Sequence, residues 1–409
     1  MAQRRTRLLA TATALAAAAV ACGSFAARAL GAWPDDPIAV ARNGCLAAAV
    51  AATTALVWLL HRRGRAVLRA MLRRPRLLRA GLGTAATLLV LLSVEGALRL
   101  RPTFGQSSDV LLRSAPFVEN DAQLGYRLVR NAWIEVDLVR ARDDAPLGHV
   151  RYGLDAHRRR RTVLPQADGH DRAVAFFGCS QTFGHGLDDA DTLPSRYAAH
   201  MPRDLVVNLA VPGYGPNHAV LLAQDPDAMA LPALPRPPIA VFVWIDHHLR
   251  RLCGSLRVRS FYGIDAPCFA IGPDGTAALQ GPFRTAQPLR SVWCWAVAKS
   301  ELLKLTGYDW PAEERPEDVD LAAAVLRSLA DTWQREHGGR LLLVQYPTEH
   351  VGSRLAERLR DSGVAFADLD GMFDPYADGM SIDRDGHPTP RATELLGARI
   401  AEAVRRAFP

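Results

Sequence analysis

Cysteine is scarce in this chain, with six in 409 residues. No two of them stand at the spacing of a zinc site, and six are too few to staple a chain of this length. A small disulfide scaffold and a structural zinc domain are therefore excluded. Cys22 and Cys45 fall in apolar runs, and Cys179 abuts a candidate serine. Cys253, Cys268 and Cys294 would face an oxidising compartment on the topology argued below, where a Cys253–Cys268 bridge can form.

A basic stripe with interleaved aromatics is also missing, although the isoelectric point is about 9.3. Residues 1–80 hold 13 Arg and 2 Asp, a net of +11 against +7 for the whole chain, so residues 81–409 carry about −4. The positive charge thus belongs to the N-terminal segments, and nucleic acid is not an expected partner. Nor is there an internal repeat or polar pathway of the kind a transporter needs.

What the N-terminus does have is three apolar runs: Leu8–Ala27, Cys45–Leu60 and Gly81–Leu98. Each approaches the roughly 20 residues that carry a helix across a bilayer, the second being short. Arg4, Arg5 and Arg7 precede the first run, and the link 61–80 between the second and third holds eight arginines and no acid. Arginine-rich links stay in the cytoplasm, so the order is in, out, in, out. Everything beyond about residue 100 is then extracytoplasmic, anchored in the inner membrane. A cleaved signal peptide for the first run, with its faint lipoprotein-like Ala19-Val20-Ala21-Cys22, leaves that outcome unchanged. Glu95, inside the third run, has Arg99 four residues on and is expected to form a helical salt bridge.

Residues 102–170 are charged and irregular in pattern, a linker or cap. Beyond them, five short runs apolar on both faces read as buried strands: 173–178, 204–210, 239–245, 340–346 and 363–369. Helical patterns lie between, notably 317–337, stopped by Gly338-Gly339, and 389–407, opened by Thr389-Pro390. Strands alternating with helices predict an α/β fold with a parallel sheet covered on both faces. Residues 247–316 interrupt the alternation as an insertion, whose Trp293 and Trp295 are assigned to the core.

In such sheets ligands bind beyond the carboxyl ends of the strands. "AVAFFGCSQTFGHG" (173–186) ends the first strand on a glycine turn that presents Ser180. Gly213 lies in a glycine-rich loop after the second strand, Asp246-His247-His248 follow the third, and "SIDRDGHPTP" precedes the last helix. A serine needs a base to take its proton, and the base an acid to orient it. His387 is the candidate base and Asp385, two residues earlier, its orienter, with Asp383 as an alternative. The backbone N–H groups of Ser180 and Gly213 are candidate oxyanion donors. His185 and His218 are expected as exposed loop residues, and His350 carries no assigned chemistry. The arginine run 157–161 suits a solvated loop or an anionic polymer.

Three of these segments together resemble the SGNH (GDSL-type) esterase and acyltransferase family. "FFGCSQTFGHGLDDADTLPSRYA" is similar to its first block, "NLAVPGYGPNHA" to its second, and "DRDGHPTPRATELLGARIAEAV" to its last, over residues 171–409. The resemblance implies a three-layer α/β/α fold with a five-stranded parallel sheet, and acyl-ester chemistry without metal or cofactor. It implies Ser180 as nucleophile, His387 as base, Asp385 as orienter and Gly213 as oxyanion donor. The third block departs: where the family offers an Asn donor, "FVWIDHHLRR" has Ile245-Asp246. An ionised Asp cannot donate, so His247 or His248 is expected to substitute as donor, with Asp246 and His247 as the oxyanion or substrate-binding candidates. The short Asp-x-His form resembles the membrane-associated branch that O-acetylates exported polysaccharides. The expected partners are accordingly a glycan or acylated small molecule and a membrane acyl donor. A non-catalytic glycan-binding or assembly protein on the same fold is the alternative.

Overall fold

The computed structural model describes residues 75–99, 110–141, 143–297, 300–310, 315–347, 350–382 and 386–409. The first two apolar runs, and Asp383 and Asp385, lie outside the described residues. Two compact units are present, one formed by the N-terminal part with 300–307 and the other by the rest.

The larger unit is built on five parallel strands. They are β1 Arg172–Phe177, β2 Asp204–Asn208, β3 Ile239–Trp244, β4 Arg340–Gln345 and β5 Ala365–Asp368. They pair in the order β5-β4-β3-β1-β2, and every pairing is parallel. β1 and β3 are buried at every position, as two-sided strands must be. Their side chains alternate between two cores. Ala175, Phe177, Phe242 and Trp244 point to the face covered by the helices Pro216–Leu222, Pro316–His337 and Val351–Arg358. Val174, Phe176, Val241 and Val243 point to the face covered by Leu193–His200 and Pro390–Ala407. The three-layer arrangement expected from the sequence is present. The strand order reverses between β1 and β3, the switch point beyond which open sheets of this kind bind ligands.

Residues 110–153 are not irregular. Val110–Ser114, Trp133–Arg140 and Pro146–Gly153 make an antiparallel sheet, and Val118–Asp121 pairs with Gly125–Leu128 as a hairpin. Leu124, Leu128, Val136 and Tyr152 join the core on the first face, so this region is an integral part of the unit. The arginine run is built in as well. Arg160 is buried, pairs with Asp189 at 2.8 Å and lies over the rings of Tyr152 and Phe183.

The insertion contains short helices and the hairpin Pro267–Ile271/Ala277–Pro282. Two expectations are corrected there. Trp293 and Trp295 are 47% and 44% exposed rather than core. Cys253 and Cys268 are free thiols. Burial, with Asp318 nearby, pushes the Cys253 thiol up to about 11, so it is a protonated apolar group.

In the smaller unit Pro75–Arg99 is one helix. Among the described residues no helix is long and apolar enough to cross a membrane. Glu95 does pair with Arg99, Nε to Oε1 at 2.8 Å. Its carboxylate also accepts from the Ser300 hydroxyl at 2.8 Å and from the backbone N–H of Glu301 and Leu302 at 2.9 and 3.0 Å. Those are the first amides of the short helix Glu301–Leu305, which lack intrahelical acceptors.

Candidate active site

Gly178 ends β1 with φ +155°, and a Cβ there would run into the Thr182 side chain. Glycine is therefore what lets the chain turn directly from strand into the helix Ser180–Phe183. Ser180 opens that helix and is 7% exposed. Its hydroxyl donates to the Gln181 side-chain oxygen at 3.1 Å, and the Cys179 thiol contacts the same oxygen at 3.2 Å. Asn208, at the end of β2, holds the turn from below. Its amide donates to the carbonyls of Thr182 and Phe183 at 3.3 and 3.4 Å, and its oxygen accepts the Ala210 N–H.

His387 lies on a loop closed by the Ile382 N–H to its own carbonyl at 2.8 Å and by Thr389 N–H to Met380 carbonyl at 3.1 Å. That loop meets the nucleophile turn through His185. The two imidazoles are 5.0 Å apart between centroids, and the His185 N–H donates to the Ser180 carbonyl at 3.0 Å. His185 is thus half-buried beside the candidate base, not an exposed loop residue.

Gly213 has φ +86°, and a Cβ would collide with the Tyr126 hydroxyl and the Tyr262 ring. Its neighbours are tied on both sides. Tyr126 donates to the Pro212 carbonyl at 2.7 Å, and Arg251 donates from Nη1 to the Tyr214 carbonyl at 2.9 Å. The Tyr214 hydroxyl in turn donates to the Tyr126 carbonyl.

Asp246 is otherwise employed. Its carboxylate accepts the N–H groups of His350 and Val351 at 2.9 and 3.1 Å and the Trp244 indole N–H at 3.1 Å. Two of these donors start the helix Val351–Arg358, where a carboxylate is favourable. Asp246 is a tie between β3 and that helix, and His350 contributes its backbone to it. His247 is exposed as a residue, yet its ring is desolvated, and the Arg251, Arg250 and Arg257 charges add to that effect. Both influences push it below the ordinary histidine value, with the Asp246 carboxylate opposing them.

His218 and His248 are fully buried, correcting the expectation of an exposed His218. The His248 Nδ1 accepts the Ile245 N–H at 3.2 Å, and the His218 ring stacks on Tyr214 at 4.1 Å. Burial holds both well below the ordinary value. The Arg259 and Arg251 charges add to it for His218, and Arg251 and His247 for His248.

Sequence reasoning missed Tyr126, Tyr262 and Arg251. Tyr126 carried a usable signal, since it sits in a short stretch bounded by Gly125 and followed by alternating residues. Arg251 had none, because its partners come from two other loops. Among the described residues no group of His, Cys, Asp and Glu is placed to hold a metal ion.

No family model and no curated protein matches the chain. Among solved structures it is similar to a protein described as lipolytic, of the G-D-S-L family, from Desulfitobacterium hafniense DCB-2. Identity there is 11% over 57% of this chain and 99% of that one, with a TM-score of 0.31. An alpha/beta hydrolase from the metagenome of Lake Arreo, Spain, is similar at 14% identity, 59% and 98% coverage and a TM-score of 0.34. A mutant of an acetyl-xylooligosaccharide esterase from Geobacillus Stearmophilus gives 15%, 59% and 96%, and 0.31.

Proposed function

We propose that this protein is a serine acyl-ester enzyme acting on acyl groups of a glycan, anchored in the inner membrane with its α/β unit on the extracytoplasmic side. The observation that carries the reading is the placement of Ser180 at the switch-point end of β1 with the His387 loop packed on its turn through His185.

In this reading the Ser180 hydroxyl attacks the ester carbonyl while His387 takes its proton, with Asp385 orienting the imidazole. The oxyanion is received by the Ser180 and Gly213 N–H groups. Collapse expels the alcohol with the proton returned by His387, leaving an acyl-Ser180. Water then completes a hydrolysis, or a sugar hydroxyl completes a transfer, with His387 again taking the proton. The transfer route needs an acyl donor supplied at the membrane. The first two apolar runs and the arginine placement around them support the anchor, whereas the helix that carries the third run, Pro75–Arg99, is not apolar enough to span.

The alternative, a glycan-binding protein without turnover, is favoured by one feature: no side-chain donor stands at Ile245-Asp246, and Asp246 is occupied in the fold. The deciding experiment is turnover of a chromogenic acetyl ester by the full chain in detergent, beside Ser180→Ala. Turnover lost in the variant supports the enzyme, and equal rates for the two proteins favour the binding protein.

A further inference from the structure

Gly213's N–H belongs to the same rigid peptide unit as the Pro212 carbonyl, and the two point in opposite directions. Whatever fixes that carbonyl therefore aims that N–H. The structure gives the task to Tyr126, whose hydroxyl donates to the Pro212 carbonyl at 2.7 Å across 86 residues of chain. Tyr126 comes from the hairpin Val118–Asp121/Gly125–Leu128, outside the five-stranded sheet. The carbonyl two residues on, of Tyr214, is fixed by Arg251 at 2.9 Å. Its peptide unit carries the Gly215 N–H, which donates to His218 at 3.2 Å. The carbonyls of both residues that flank Gly213, Pro212 and Tyr214, are thus pinned by side chains from different parts of the chain.

Arg251 is the more telling of the two. It is 5% exposed, and no described carboxylate is among the groups that act on it. Its neighbours include the Tyr262 ring, 5.4 Å from its guanidinium carbon, Tyr126, and the Cys179 thiol beside Ser180. Burying a cation without a counter-charge is costly. A carboxylate placed there would cancel its field at the turn where an oxyanion would form, whereas an acid-free guanidinium leaves that field intact.

We propose that Tyr126 and Arg251 are positioning residues for the glycine loop. Tyr126 aims the Gly213 N–H, and Arg251 locks the Tyr214–Gly215 peptide while keeping positive charge close to Cys179, next to the nucleophile. Together they stand in for the side-chain donor missing at Ile245-Asp246. The proposal rests on the acyl-ester reading above.

The test uses the full chain in detergent, with Tyr126→Phe, Arg251→Lys, Arg251→Gln and Ser180→Ala. Four quantities are read: kcat and KM on an acetyl ester, the rate at which a fluorophosphonate labels Ser180 by intact mass, and Tm. Removing a whole oxyanion donor costs about 10²–10³-fold, so loosening one is expected to lower kcat by about 10-fold in Tyr126→Phe. Labelling should fall in parallel with KM little changed, because the loss is confined to the transition state. Arg251→Gln should lose more than Arg251→Lys, which keeps the charge. Wild-type kcat and labelling in folded Tyr126→Phe and Arg251→Gln would overturn the proposal. So would losses carried by KM alone, or the absence of a folding transition in every variant. A wild-type protein that neither turns over ester nor takes the label at Ser180 would instead bring down the acyl-ester reading itself.

Discussion

The imidazoles of His185 and His387 stand 5.0 Å apart, and through His185 the last loop of the chain reaches the turn that carries Ser180. Groups that act as one unit are not additive when removed. Ser180→Ala and His387→Ala should each lower ester turnover by about 10³-fold or more, and the double variant should be no worse than either. Losses that multiply would mean the two residues do not share a step. Initial rates of the three variants on one ester decide it.

Asp246 separates a tie from a binding group. Asp246→Ala removes the acceptor for two amides at the start of Val351–Arg358 and should destabilise the fold by about 1–2 kcal/mol. Turnover per folded molecule should stay near wild type. A large rise in KM with unchanged urea midpoint would return Asp246 to the substrate site.

Much of this architecture was legible beforehand, for a definite reason. β1 and β3 are buried on both faces, so "AVAFF" and "IAVFVW" stand out as apolar runs, and the observed strands differ from the expected ranges by at most two residues at either end. The last helix announced itself through Thr389-Pro390, and the Thr389 side chain does accept the Ala392 N–H. The antiparallel region also had a signal that went unused. "WIEVDLVR" (133–140) alternates up to Leu138, with Ile134, Val136 and Leu138 buried and Trp133, Glu135 and Asp137 exposed, a half-buried strand pattern. Arginine density around it masked the periodicity. Arg251 was illegible in principle, because it acts on a loop that only the fold brings near it.

His218 and His248 set a pH limit. Both stay neutral in the folded protein, held down first by burial and then by nearby arginines. The unfolded chain takes up protons below about pH 6.5, so stability is intact above that value and falls as the pH drops through it. Each histidine contributes up to about 1.4 kcal/mol per pH unit in that window. Urea midpoints at pH 7.5 and 5.5 should differ accordingly, and the dependence should flatten in His248→Asn. A pH-independent midpoint would contradict the buried neutral assignment.

Cys253 and Cys268 should both be alkylated by iodoacetamide in denaturant without prior reduction, read from their peptides by mass. A disulfide-linked peptide pair would contradict the free-thiol arrangement.

Glu95 links helix Pro75–Arg99 to residues 300–302 by three hydrogen bonds to one carboxylate. A carboxylate at a helix start satisfies amides that otherwise have no acceptor and complements the positive end of the helix. The same group is held by Arg99 one turn on, so its geometry is fixed from its own helix. Glu95→Ala should release the Glu301 and Leu302 amides at a local cost of about 1–2 kcal/mol, comparable to loss of an N-cap. Hydrogen exchange at those two amides should accelerate by about 10-fold or more, since about 1.4 kcal/mol corresponds to tenfold in an opening equilibrium. Ester turnover should not change, because neither group belongs to the Ser180 turn. Glu95→Gln keeps one acceptor oxygen and loses the charge, so it should fall between wild type and Glu95→Ala. Exchange that stays at the wild-type rate in Glu95→Ala would mean the carboxylate does not cap that helix, and would leave the Arg99 salt bridge as its whole role.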